Sequence, residues 1–415
     1  MRIVLFNLNN YIGGGELLLV RLAQHLKKIG ENYQILGFKN SWIEGQASSL
    51  SLRFVRWPSG CDSVNYMRQS EKSSLIQDIE NIYARETDVR IFVFCMRDAH
   101  NSLYIASKLR SKKIILSYGL YHPEDALYLA TLSLNSRELI KTNRQVIRAF
   151  LSNDSMLFTS PPGFKFSLTN HDQEKYLNQA KFISLPIEIS PLPLKKTPNA
   201  NDEFRIICIS RFVEFKVASI LAIMKAVHKQ EELSLTIVGY GFWEFILRIW
   251  MFQKKPKNIS LIGAIDPDEL DAVIDTHDIG YAQGTSILEI AKRGLPVLVA
   301  PYSRISDVFG GSVGTLGVFG CVPKEVELGD SRYFDPRQTT DIRSLIFAVR
   351  RDFRRYADSS AAAVRAYDSD VICGKIHQFI LTSRLSAFDF DFHPPTAPFL
   401  KIVRFYFKKV VKKWQ

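Results

Sequence analysis

The chain has 415 residues, more than the roughly 250–300 at which one hydrophobic core stops growing, so two domains are expected and one small module is excluded. Hydrophobic residues make up 46% and charged residues 23%, a balance that supplies a core and excludes wholesale disorder. Lys and Arg number 54 against 42 Asp and Glu, a net charge of +12, but six of those cations crowd into residues 399–415, which hold no acid; a nucleic-acid protein basic throughout is thereby disfavoured.

From the start of the chain, Ile3 to Leu8 is a short apolar run, Gly13-Gly14-Gly15 a turn, and Leu18, Leu22, Leu26 and Ile29 recur at helical spacing. The run reaches Asn7 too early for the apolar core of a secretion signal. Strands are expected at 32–38, 90–95 and 113–118, with helices at 70–83 and 101–109, an alternation that implies a parallel sheet covered on both faces. A long helix is expected at 124–151, and closing strands at 155–159 and 181–185. Pro186, Pro191, Pro193 and Pro198 then mark a linker. The alternation restarts with strands at 204–209, 234–238, 258–262, 278–281 and 296–299 and helices at 217–229, 242–252, 267–275 and 286–293. Residues 340–355 and 357–383 read as terminal helices. The apolar stretch 233–252 is interrupted by Gly239, Gly241, Glu244 and Arg248, so it does not read as a membrane span. Five scattered cysteines, Cys61, Cys95, Cys208, Cys321 and Cys373, form no C-x-x-C pair and suggest reduced thiols in a cytoplasmic chain.

Three constellations can carry chemistry. Gly13-Gly14-Gly15-Glu16 opens the first helix, where glycines admit close approach and unpaired amides face an anion; a tight turn with Glu16 in the first helical turn is the plain alternative. Arg211 and Lys216, five residues apart after a strand, can converge on one diphosphate as fork and point charge, or stand as two solvated cations. Gly284-Thr285-Ser286-Ile287-Leu288-Glu289 opens a short helix, either closed by a Ser286 and Glu289 capping box or offering its amides to phosphate and Glu289 to sugar hydroxyls. G-x-G-x-x-G follows neither domain's first strand, which disfavours a dinucleotide-dependent oxidoreductase.

Together these residues resemble the retaining GT-B glycosyltransferases of the group 1 family, GT4, over most of residues 1–385. The resemblance implies an α/β fold of two doubly wound Rossmann-like domains facing a cleft. Their bounds would be 1–186 for the acceptor-side domain, 187–201 for a linker, 202–385 for the nucleotide-sugar-binding domain with its terminal helices, and 386–415 for a basic aromatic tail. It further implies that Gly14, Gly15 and Glu16 lie near donor and acceptor, that Arg211 and Lys216 hold the diphosphate, and that Glu289, ahead of Ala291, Gly294, Pro296 and Val297, binds the ribose. Gly239 and Gly241 resemble the family's glycine loop, and His122 lies about where an active-site histidine is kept; a plain loop histidine is the other reading of His122. Tyr281 stands where the family places the first acid of its Glu-x7-Glu pair, and Gln283-Gly284-Thr285-Ser286 replaces Glu-Gly-Phe-Gly.

The expected activity is transfer of a sugar from a nucleoside diphosphate sugar to a carbohydrate or lipid-linked acceptor, as in polysaccharide biosynthesis, without cofactor or metal. The D-x-D pairs at Asp266 and Asp268, Asp368 and Asp370, and Asp389 and Asp391 read as chance or helix-start acids. The alternative is a non-catalytic subunit of the same fold that binds a partner enzyme or glycan at a membrane. In 399–415, Phe399, Val403, Tyr406, Val410 and Trp414 fall on one helical side and Lys401, Arg404, Lys408 and Lys412 on the other, so an anionic membrane surface is the expected partner and peripheral association the expected location. A helix docked on the protein's own surface is the other reading. No nucleic acid is expected.

Overall fold

The computed structural model describes residues 1–10, 13–109, 111–120, 136–159, 170–189, 202–304, 313–329 and 339–386, with isolated positions between them. His122 and the tail 399–415 lie outside the described residues. In chain order the first elements are β1 (Arg2–Phe6), α1 (Gly14–Lys28), β2 (Tyr33–Gly37), α2 (Trp42–Ser49), β3 (Phe54–Arg56), α3 (Gln69–Ile82), β4 (Asp88–Val93), α4 (Met96–Lys108), β5 (Lys113–Leu120), α5 (Ser136–Ser152), β6 (Met156–Phe158), α6 (Asn170–Tyr176) and β7 (Lys181–Phe182). They are followed by β8 (Phe204–Ile209), α7 (Glu214–Val227), β9 (Leu233–Val238), α8 (Glu244–Lys254), β10 (Ile259–Ile262), α9 (Pro267–Asp275), β11 (Ile279–Ala282), α10 (Thr285–Ala291) and β12 (Val297–Val299). The chain closes with α11 (Ile342–Arg351), α12 (Phe353–Val364), α13 (Ser369–Thr382) and β13 (Leu385–Ser386).

Two compact units result, one of residues 1–186 with 369–415 and one of residues 187–368. The first holds a sheet in the order β3-β2-β1-β4-β5-β6-β7, the second a sheet in the order β10-β9-β8-β11-β12. Every pairing along both paths is parallel. The apolar runs explain this choice. Along β1, Val4 and Phe6 enter one core with Ile91, Val93 and Tyr118, whereas Ile3 and Leu5 enter a second core with Leu18, Leu22 and Ile35. Along β8, Ile206 and Cys208 face one core and Ile207 another. Strands buried on both faces need crossover helices, and parallel pairing follows.

Two elements escape the periodicity argument. Helix α2 is short, with only Ile43 and Ala47 buried, and β3 has three residues. A sequence signal for α2 does exist: Ser41 accepts a hydrogen bond from the Glu44 amide, and the Glu44 carboxylate accepts one from the Asn40 amide, a near capping box written as Ser-x-x-Glu.

The end of the chain departs from expectation. The single helix expected at 357–383 is broken by a 3-10 turn at Arg365–Tyr367. From Ser369 onward the chain belongs to the first unit, so the second domain ends at 368 and not at 385. The reason is a matched pair of apolar faces: Ile372, Cys373, Ile376, Phe379 and Ile380 of α13 share a core with Leu18, Leu22 and Leu26 of α1. Arg90 donates to the Ile380 carbonyl at 2.8 Å and the Ser383 carbonyl at 3.3 Å, capping the end of α13. Nor is residue 187 linker, since Ile187 is fully buried in the second unit's core.

Strand β13 then pairs antiparallel with the early part of β5, beside the start of β6. Its docking depends on one buried hydroxyl. The Ser155 oxygen accepts from both the Arg384 and Leu385 amides at 2.9 Å. Replacing Ser155 with Ala removes this shared acceptor beside a fully buried Leu385, while the Arg384 amide keeps its contact to the Asn153 carbonyl at 3.2 Å. A loss of about 1–3 kcal/mol in unfolding free energy is expected, read from urea denaturation of parent and variant.

Candidate functional site

In each unit the strand order reverses direction at one point, and the crevice beyond the carboxyl ends of the strands there is where ligands enter such sheets. In the first unit the point lies between β1 and β4, in the second between β8 and β11. All three constellations singled out in the sequence fall at these points.

Beyond β1, Gly13 precedes α1 without a side-chain cap, and Gly14 and Gly15 form its first turn. A Cβ placed on either Gly14 or Gly15 would meet nothing within 4 Å, and neither has a positive φ. Packing therefore does not demand glycine there, although each helical glycine costs roughly 0.5–1 kcal/mol relative to alanine. The bare turn leaves room above the helix start. Glu16 is not aimed into that room. It is buried, and its Oε1 accepts from the side-chain amides of Asn7 at 3.2 Å and Asn9 at 2.6 Å. Sequence reasoning passed over the rest of this network. Arg97, at the start of α4, donates to the Asn9 side chain at 2.8 Å, to Asp98 at 3.1 Å and to Asp62 at 3.2 Å. One guanidinium thus ties the loops after β1 and β4 together. Burial raises the pKa of Asp98 from its ordinary value, against the opposing pull of Arg97. The usable signal was a run of polar residues, Arg97 to Ser102, directly after an apolar strand.

In the second unit the loop after β8 carries Arg211 and Lys216, and it is held in place by the loop after β9. Ser210 donates its amide to the Val238 carbonyl at 3.0 Å, Phe212 to Tyr240 at 2.8 Å, and Trp243 to Phe212 at 3.1 Å. This close approach requires glycine. A Cβ on Gly239 would lie 1.8 Å from the Ser210 carbonyl oxygen and one on Gly241 2.6 Å from that of Phe212, with φ at +151° and +153°. Both glycines, read as donor-binding, thus have a structural reason as well: they let the two loops run in contact.

Lys216 lies in the first turn of α7, and its Nζ reaches the Gln283 carbonyl at 3.4 Å. That contact joins the β8 loop to the turn after β11. Removal from water, followed by the nearby Arg211, lowers the Lys216 pKa to about 8, with a smaller opposing pull from Cys208. Arg211 is exposed, and its guanidinium has no protein partner among the described residues. Two neighbouring cations, one of them poorly hydrated, raise the local positive potential. The neighbouring Cys208 thiol is pushed up to about 12 by burial, so it is an inert core group, and the described cysteines are all free.

The turn after β11 settles one question left open by the sequence. Gly284, with φ at +72°, precedes α10, and no side chain caps that helix. The capping box, one of the two readings of Ser286 and Glu289, does not form. Instead Glu289 pairs with Lys292 at 2.8 Å, and Lys292 also meets Asp271 at 3.1 Å. Ile287 and Leu288 are core residues, and only their backbone can serve a ligand. Thr285 and Ser286 sit in the first turn beside the Lys216 contact.

Tyr281 is fully buried within β11, paired in register with Cys208, and its hydroxyl donates to the Gly314 carbonyl at 3.3 Å. It is a core residue, and burial raises its pKa. The side-chain amide of Gln283 donates to the Gly329 carbonyl at 2.9 Å. Of the aspartate pairs, Asp266 opens α9 through its carbonyl and Asp370 pairs with Lys28 at 2.6 Å; Asp389 and Asp391 lie outside the described residues. Among the described residues no three His, Cys, Asp or Glu side chains are grouped to hold a metal ion.

No family model matches the chain, and no curated protein shows a significant match. Solved structures do. A protein of Anabaena, HepE, crystallised in complex with UDP and glucose, is 15% identical with a TM-score of 0.58 over 92% of this chain and all of its own. A glycosyltransferase from Rickettsia africae is 12% identical with a TM-score of 0.59 over 91% of this chain and 97% of its own. The pneumococcal O-GlcNAc transferase GtfA, in complex with UDP and GlcNAc, is 11% identical with a TM-score of 0.59 over 92% and 98%. At such identities the likeness speaks for architecture, and with two parallel α/β units the chain has the GT-B fold of these glycosyltransferases.

Proposed function

We propose that the chain is a glycosyltransferase that moves a sugar from a nucleoside diphosphate sugar to a carbohydrate or lipid-linked acceptor with retention at the anomeric carbon. The observation that carries this reading is the pair Arg211 and Lys216 beside the uncapped start of α10. Breaking the bond between anomeric carbon and diphosphate leaves negative charge on the departing phosphate. Arg211 binds that phosphate as a fork and Lys216 as a point charge, and both interactions strengthen as the charge develops. The Thr285 and Ser286 amides and the loop at Gly239 and Gly241 complete the donor's surroundings, and Glu289 takes the ribose hydroxyls. Gly14 and Gly15 leave space for the transferred sugar, with Glu16 holding their loop. His122 remains the candidate for a polar contact to that sugar. UDP bound to HepE and to GtfA makes uridine the first base to test.

The alternative, a non-catalytic subunit at a membrane, draws on Tyr281, which puts a buried phenol where the group 1 family keeps an acid. In that case UDP binds and no sugar donor is turned over with any acceptor.

UDP is expected to raise the melting temperature of the parent by mass action. Lys216→Ala and Arg211→Ala should each remove about 2–4 kcal/mol of transition-state stabilisation, measured as kcat/KM for donor turnover. UDP affinity should also depend on pH. Only the protonated Lys216 attracts phosphate, and its pKa lies at about 8 in the free protein. Affinity should therefore hold below pH 8 and fall above it, by up to about tenfold per pH unit, with uptake of a proton on binding. In calorimetry across buffers of different ionisation enthalpy, Lys216→Ala should abolish this uptake.

Because the cations supply the positive charge, the reaction is proposed to need no divalent metal. Turnover should survive exhaustive chelation with EDTA, measured with and without restored magnesium or manganese.

The cytoplasmic face of a membrane is the proposed location, reached through residues 399–415. Removal of that segment should weaken binding to anionic vesicles, and added salt should weaken binding of the parent, both read by co-sedimentation.

A further inference from the structure

The second unit carries an exposed aromatic face that begins at the loop holding Gly239 and Gly241 and runs along α8, away from Arg211 and Lys216. Around α8, Phe242 is 84% exposed and Phe252 78%, with Tyr240, Phe245 and Ile249 each about half exposed. At 3.6 residues per turn, Phe245, Ile249 and Phe252 fall within about 60° of one another. Leu247, on the far side, is the fully buried residue that anchors the helix to its sheet. The exposed rings form a cluster: Phe242 lies 6.0 Å from Phe245 and 6.1 Å from Trp243, and Trp243 stacks with Phe245 at 6.0 Å. Isolated apolar side chains on a surface need no explanation, but a continuous stripe along one helix does.

The charges beside the stripe indicate what covers it. Glu244 pairs with Arg248 at 2.6 Å within the helix. Lys254, Lys255 and Lys257, at the helix end and just beyond, are exposed and have no ion-pair partner among the described residues. Glu203 and Glu231 line a shallow depression with Lys255 and Lys257 without forming an ion pair with them. The core of a protein–protein interface is depleted of lysine, whereas lysines flanking an aromatic stripe suit the boundary between lipid headgroups and acyl chains. We infer that Phe242, Phe245, Ile249 and Phe252 insert into the surface of an anionic lipid bilayer, with Lys255 and Lys257, just beyond the helix, at its headgroups. This surface is distinct from residues 399–415 and does not depend on the transferase reading.

The test uses the full chain with vesicles of phosphatidylcholine, with and without phosphatidylglycerol. Phe242→Ser combined with Phe252→Ser should lower partitioning onto the anionic vesicles by about tenfold or more, with an unchanged melting temperature because both side chains are already in water. Lys255→Gln and Lys257→Gln together should remove much of the gain that phosphatidylglycerol gives the parent. Both variants retain residues 399–415, so their outcome is separate from that of the tail. Parent-like partitioning of both variants would overturn the inference. So would a parent that sediments as a dimer, broken by the phenylalanine substitutions with vesicle binding intact, since the stripe would then cover a second copy of the chain.

Discussion

In the second unit two loops touch backbone to backbone, and Arg211 and Lys216 stand where they do because of it. Where the Gly239 α-carbon meets the Ser210 carbonyl there is no space for even a methyl group. The contact fixes the exit path of the chain from β8, which sets where Arg211 stands and where α7 begins. Once α7 begins there, Lys216 reaches the turn after β11 and loses most of its water. A lysine left in solvent would keep its ordinary pKa and would gain little from a phosphate it must first dehydrate to meet. Backbone proximity therefore becomes electrostatic strength through desolvation.

The first unit reaches a comparable position by different means. There the loops after β1 and β4 are joined by side chains, with Arg97 bridging Asn9, Asp98 and Asp62 and Glu16 gathering two asparagine amides. Buried polar side chains that share one guanidinium constrain one another, so this network leaves its loops little freedom. Glycine contact in one unit and a guanidinium in the other both hold a strand-end crevice open.

How much of this was legible depended on whether the cause was local. Alternating runs such as Ile3 to Phe6 and Phe204 to Ile209 betray two-faced burial directly, and the five-residue separation of Arg211 and Lys216 marks a loop and a helix start. Gly239 and Gly241 were visible as glycines, but their partner loop lies about thirty residues earlier, and no local pattern reports a backbone contact across that distance. The Ser286 and Glu289 pair left two readings open for a related reason: the motif is local, yet the Glu289 carboxylate goes to Lys292, which it shares with Asp271. The break near Tyr367 was missed because residues 357–383 keep helical composition through it, and only the apolar face of α1 decides where the last helix goes.

That last crossing has a consequence for how the protein is made. The Ile187 amide donates to the Tyr367 carbonyl at 2.8 Å, so the two ends of the second unit lie side by side. It is an insertion, complete in itself, within a first unit whose own sheet still lacks β13 and whose α1 still lacks its cover. During synthesis the inserted unit has all its residues once position 368 has emerged from the ribosome, while the unit begun earlier must wait for position 386. The part of the chain made first is thus the last to finish folding, and until then the apolar face of α1 stays open to whatever chaperone or misfolded neighbour meets it.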